Sequence, residues 1–260
     1  MMISSNRFFT FTTRAVLMIF VLLAVTCNIT PSSAASISSP KVVHFKTKDG
    51  WTIVGDLYTP IRKAKGVVIL LHQRGGSASD WAPLCVTLQK NGYEALAIDA
   101  RGTGRSTKGP GPMGINAPWL TTPDIAGAIH YLKTNNAILI GASFGANNAL
   151  IYASEHQKKL NGIILLSPGK DYNGLTALPA AQLCNVPVSI FVSEHDPIPQ
   201  NGPVIIARNL PHGDICHLVV LHGNVHGTGL LNSKFDIELL VEVNALESYH
   251  KNAKSMRAKM

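Results

Sequence analysis

The sequence predicts an α/β domain, a mostly parallel sheet of about eight strands with helices on both faces and no large lid domain. Three observations carry this. Apolar, β-rich runs alternate with helical patterns along the chain after residue 40. The runs in its middle are apolar throughout, as strands buried on both faces are. At 46% hydrophobic and 15% charged residues over 260 positions, the composition suits a large core and excludes a disordered chain.

Taken in order, Val42 to Lys46 and Trp51 to Tyr58 show period-2 alternation around the turn Lys48-Asp49-Gly50, which predicts a hairpin with one exposed face. Gly66 to His72 is the first buried strand. Gly75-Gly76-Ser77 breaks the chain, and Asp80 is placed to cap a helix through Asn91. Ala95 to Ile98 is a second buried strand, and Lys108 to Pro118 is a loop rich in Gly and Pro. A helix over 122–134 carries Ile125, Ala128, Ile129 and Leu132 at helical spacing. Strand Ala137 to Ile140, helix Gly145 to His156 and strand Gly162 to Leu166 follow. After a loop and a short helical stretch come strand Val186 to Val192, helix Val204 to Leu210 and strand Leu218 to Leu221. A closing helix starts near Ser233.

The N-terminus reads as a secretory signal peptide over residues 1–35, with the α/β domain over 36–260. Arg7 and Arg14 precede an apolar run from Ala15 to Val25, and Ser33-Ala34-Ala35-Ser36 supplies small residues for cleavage after Ala35. The run is short of the roughly 20 residues that a spanning helix needs, so no stable membrane span is expected in the mature form. Acylation of Cys27 and an uncleaved anchor are the alternatives. A secreted or periplasmic protein is therefore expected. The cysteines beyond the leader, Cys85, Cys184 and Cys216, are odd in number and lack Cys-x-x-Cys spacing, so buried thiols are expected rather than a metal or redox motif. The net charge of +8 comes from scattered Lys and Arg without blocks, a solvated basic surface rather than a nucleic-acid footprint.

Gly141-Ala142-Ser143-Phe144-Gly145 lies between a predicted strand and a predicted helix. A serine there stands on a sharp turn at the sheet's carboxyl edge, where the helix N-terminus favours developing negative charge. A serine hydroxyl needs a base, and the base an orienting acid. Asp196, in Val192-Ser193-Glu194-His195-Asp196-Pro197, is the candidate acid, with Glu194 as the alternative. His226, in His222-Gly223-Asn224-Val225-His226-Gly227, is the candidate base, with His222 next. His195 precedes the last strand and is expected to be solvated. The oxyanion donors expected are the N–H of Phe144 and one from His72-Gln73-Arg74-Gly75-Gly76, at Arg74 or Gln73. His72 is expected to be a structural hydrogen-bonding residue.

The runs Leu70-Leu71-His72-Gln73-Arg74-Gly75-Gly76-Ser77 and Asp99-Ala100-Arg101-Gly102-Thr103-Gly104-Arg105-Ser106, with the serine turn, Asp196 and His226-Gly227, resemble an α/β-hydrolase. The chain is similar to the compact, lidless dienelactone-hydrolase-like enzymes over about residues 42–250. Gln73 stands where many relatives have glycine, and serine stands where dienelactone hydrolases use cysteine. The resemblance implies a Ser143–His226–Asp196 triad that cleaves an ester or related acyl bond of a small substrate, without metal or cofactor. A peptidase or thioesterase using the same triad, and a catalytically silent binding member of the fold, are the other readings.

Overall fold

A computed structural model describes residues 38–110, 120–211 and 216–257. The signal-peptide reading and most of the Lys108–Pro118 loop fall outside them. Eight strands form one sheet: β1 (Lys41–Lys46), β2 (Thr52–Tyr58), β3 (Val67–Leu71), β4 (Glu94–Asp99), β5 (Ala137–Ala142), β6 (Leu160–Leu166), β9 (Val188–Ser193) and β10 (Cys216–Leu221). Their spatial order is β1-β2-β4-β3-β5-β6-β9-β10. β1 and β2 pair antiparallel, as do β2 and β4; every other neighbour is parallel. Two minor strands, β7 (Asp171–Tyr172) and β8 (Leu175–Thr176), pair with each other alone.

Strand side chains alternate between two cores. Ile69, Leu71 and Leu139 face the helices α2 (Thr122–Tyr131), α3 (Phe144–Glu155), α4 (Ala177–Leu183) and α5 (Gly202–Asn209). Val68, Leu70, Ile138 and Ile140 face α1 (Ala82–Lys90) and α6 (Ser233–Arg257). α3 is the innermost helix. Its buried Ala146, Ala149 and Ala153 have little side chain to hold it away from the sheet.

Three local expectations are revised. Asp80 is not an N-cap. It lies in a short 3₁₀ turn, Ala78–Trp81, and its carboxylate accepts the Ser77 N–H at 3.1 Å, reaching back from the third position of the turn. α2 stops at Tyr131, because Leu132 caps it and Lys133 turns to φ +50°. The segment between β6 and α4 is not plain loop, because it contains the β7–β8 hairpin. Cys85 and Cys184 are buried and Cys216 is half-buried, all as free thiols, and burial pushes the Cys184 thiol up to about 11.

Candidate active site

The Gly141–Gly145 turn is set by space as much as by backbone. A Cβ on Gly141 would run into the Gly145 carbonyl, and one on Gly145 into the Leu71 carbonyl. Glycine at both positions lets α3 start almost in contact with β3 and β5. Between them Ser143 adopts φ +51° and ψ −111°, a strained conformation costing about 1–3 kcal/mol. Two backbone bonds hold it there, Ser143 N–H to the Leu166 carbonyl at 2.7 Å and Asn147 N–H to the Ser143 carbonyl at 3.1 Å. The hydroxyl therefore stands at the carboxyl edge of the sheet, at the N-terminus of the α3 helix, whose dipole favours negative charge.

Asp196 follows β9 and His226 follows β10, and the two meet. His226 Nδ1 lies 2.8 Å from Asp196 Oδ2 and 3.0 Å from Oδ1. The Asp196 carboxylate is fully buried and also accepts the Ile198 N–H at 3.1 Å, while the His226 side chain is 16% exposed. With Nδ1–H directed at a buried carboxylate, Nε2 is the ring nitrogen left to act on a substrate. The alternatives form a different pair. His222 Nδ1 bonds Glu194 Oε2 at 3.0 Å, but its side chain is 94% exposed and Glu194 is half exposed. His195 leans on the same carboxylate at 3.6 Å from solvent.

The turn after β3 carries Gln73 and Arg74 at the same edge. His72, buried beneath it, accepts the Ala100 N–H on Nε2 at 3.0 Å, so its proton sits on Nδ1 and is donated to the Gln73 carbonyl at 2.7 Å. The Ala100 bond ties the turn to the loop Asp99–Ser106. The Asp99 carboxylate in turn takes the N–H groups of Ala78 and Arg105 and the Arg105 Nε. Burial works against the charge on Asp99, yet the Arg105 guanidinium and these amides hold its carboxyl below the ordinary range. Arg101 pairs with Asp124 and Asp49. The run from Asp99 to Ser106 is thus a brace beneath the turn. Gln73 has a second bond, from the Thr228 N–H to its Oε1 at 2.8 Å, linking this turn to the loop that carries His226.

Sequence reading missed two residues. Ser167, at the end of β6 with φ +52°, accepts the Gly227 N–H on Oγ at 3.0 Å, next to His226. Its carbonyl accepts the Tyr172 hydroxyl at 2.9 Å. Tyr172 sits on the β7–β8 hairpin and meets the His226 ring edge-on at 6.5 Å between centroids. The signal was present in Tyr172-Asn173-Gly174-Leu175. Asn173 and Gly174 both take positive φ, the Asn-Gly turn that a tight hairpin favours. Asn147 of α3 anchors the segment, donating to the Gly169 and Leu175 carbonyls and accepting the Gly169 N–H. Among the described residues, no three His, Cys, Asp or Glu side chains gather as metal ligands would, and no helix is long and apolar enough to cross a membrane.

Comparison with known proteins agrees with this architecture. Residues 62–182 match the hydrolase family described as serine aminopeptidase, S33. An epoxide hydrolase from Caballeronia sordidicola is 31% identical over 93 residues, 36% of this chain and 28% of that protein. The match thus spans under a third of the relative's length. Among solved structures, a proline iminopeptidase from Mycobacterium smegmatis superposes with TM-score 0.70 at 12% identity, over 81% of this chain and all of that one. An esterase from Pyrococcus furiosus gives 0.65 at 18%, over 82% and 93%. Both likenesses are of fold.

Proposed function

From a chain that belongs to the α/β-hydrolase superfamily, we propose a serine hydrolase that cleaves an ester or related acyl bond through Ser143, His226 and Asp196. One observation carries the reading, the buried Asp196–His226 couple at the same sheet edge as the strained Ser143 turn. In this reaction His226 Nε2 takes the Ser143 proton as Oγ attacks the carbonyl carbon. The N–H of Phe144 and that of Arg74 or Gln73 receive the developing oxyanion. His226 then gives its proton to the leaving group. Water, deprotonated by the same ring, releases the acid from the acyl-enzyme. Asp196 keeps the imidazole in the reactive tautomer throughout.

Serine chemistry argues against carrying the epoxide hydrolase name across. Attack by Ser143 on an epoxide carbon makes an ether, which has no carbonyl for water to attack, so turnover would stop there. The serine aminopeptidase match favours a second reading, hydrolysis of an aminoacyl amide by the same three residues. The ten-residue insertion between β6 and α4 is too short for a lid domain, which supports a small, soluble substrate.

A fluorophosphonate probe tests the nucleophile. Labelling that Ser143→Ala abolishes is expected, and folded wild-type protein that takes no label rules the reading out. Nitrophenyl esters of rising chain length, set beside aminoacyl nitroanilides, separate the two substrate classes. The fastest turnover is expected on short esters; preference for the anilides would move the assignment to a peptidase.

A further inference from the structure

The Gln73 side chain has one end committed and one end open. Its Oε1 accepts the Thr228 N–H at 2.8 Å. A backbone N–H can only donate, so the bond fixes which way round the amide lies: oxygen toward Thr228, nitrogen left over. The rest of the residue is held as firmly. Its carbonyl accepts the His72 Nδ1 proton at 2.7 Å and the Gly76 N–H at 3.0 Å. The seat of the amide is tight. A Cβ on Gly227 would run into Oε1 and stand 3.6 Å from the Ala142 Cβ. The amide therefore lies between the residue before Ser143 and the residue after His226, in space that Gly227 leaves open. Nε2 shares the planar amide with Oε1 and is confined to the same neighbourhood. Its two N–H groups meet no acceptor among the described residues, and the atom is not sealed from solvent, since Gln73 is half-buried.

Resting on the serine-hydrolase reading above, we propose that Gln73 is a specificity-determining residue, whose Nε2–H donates to an acceptor oxygen on the carbon next to the scissile carbonyl. The site then favours alkoxy- or hydroxy-acyl esters over plain alkanoyl esters. A plain chain entering the site displaces water from Nε2 and returns no hydrogen bond, whereas an oxygen at that carbon restores it. The donor is already oriented by Thr228, so little ordering is lost when it binds. Glycine, which many relatives carry at this position, offers no such group. Oε1 and Nε2 thus divide two tasks, one holding the loop of His226 and the other reading the substrate.

Nitrophenyl methoxyacetate and nitrophenyl butyrate differ by an ether oxygen in place of one methylene. The ratio of their alkaline hydrolysis rates measures the difference in intrinsic reactivity. At neutral pH, wild-type kcat/KM is expected to favour the methoxyacetate about tenfold beyond that ratio. Gln73→Met keeps the length of the side chain without an N–H and should return the preference to the intrinsic ratio. Gln73→Glu keeps an acceptor for the Thr228 N–H and removes the donors. It should lose the preference as well, with little change in melting temperature, and it decides the matter if Gln73→Met does not fold. Wild-type protein that takes the fluorophosphonate probe yet shows no preference beyond the intrinsic ratio overturns the proposal. So does a preference that survives in either folded variant, whatever its overall rate, which makes Gln73 a brace and nothing more. A wild-type protein that neither turns over ester nor accepts the probe defeats the nucleophile assignment itself, a result distinct from any change of ratio.

Discussion

The loops after β9 and β10 carry two histidine–carboxylate pairs, His222–Glu194 and His226–Asp196, with Nδ1–O distances of 3.0 and 2.8 Å. By residue type and distance they are nearly equivalent. They differ in what surrounds them. His222 is 94% exposed, so water competes for both partners and salt screens what remains. Asp196 has no exposed side-chain surface and takes a further backbone bond from Ile198, so its carboxylate can hold an imidazole in one orientation. Gly227, adjoining His226, is bonded to Ser167, and Thr228 to Gln73. A His–carboxylate contact gains directional value when the carboxylate is buried and the backbone beside the ring is pinned.

Four expected outcomes sharpen or break that contrast. The largest effect is expected at the proposed nucleophile. Ser143→Ala is expected to lower kcat by about 10⁶-fold, leaving only background turnover in a nitrophenyl ester assay. Next comes Asp196→Asn, which keeps shape but lets the imidazole settle in the wrong tautomer, with a loss of about 10⁴-fold in kcat. If Asp196→Asn retains near-normal kcat while Glu194→Gln does not, the outer pair is the working one. Third, Gln73→Ala removes the acceptor of the Thr228 N–H and loosens the His226 loop from the turn after β3. A drop of about 10-fold in kcat/KM is expected, with the melting temperature lowered by a few degrees. The smallest effect is that of His222→Ala, which should leave kcat and KM within about twofold, since an exposed pair contributes under about 1 kcal/mol.

The pH profile adds a finer check. The Tyr172 phenol, raised by burial and next by the Asp196 charge, titrates near 12, so it should produce no alkaline loss of activity around the ordinary tyrosine value of 10.0. An alkaline limb near that value which Tyr172→Phe removes would contradict a buried, neutral Tyr172.

Much of the architecture was legible because the two periodicities are strong. Continuous apolar runs such as Val67–Leu71 admit only a strand covered on both faces, and the alanines of α3 mark a helix pressed onto the sheet. The serine turn was legible from its glycines, since few other arrangements need two so close to one serine. The hairpin bearing Tyr172 is hard to tell from loop, although Asn173-Gly174 marks its turn. Strands two residues long leave no periodicity to read, and their stability comes from Asn147, which is distant in sequence. Asp80 misled for a related reason. A capping box and an N-cap use the same residue types, three positions apart.

By itself the sequence determined the order of strands and helices, the turn that carries Ser143, and a short list of acids and histidines that follow it. Those are properties of local pattern, carried within ten or so residues. Only the tertiary structure shows how Asp196 differs from Glu194, and His226 from His222, in burial and bonding. The members of each pair lie within four residues of each other and share the same chemistry. What separates them is burial and bonds from Ser167, Gln73 and Ile198, supplied by chain that packs against the loops after folding. The side-chain contact of Gln73 is likewise visible only in the folded chain. Its side chain reaches a backbone amide 155 positions away, a contact that no local pattern encodes.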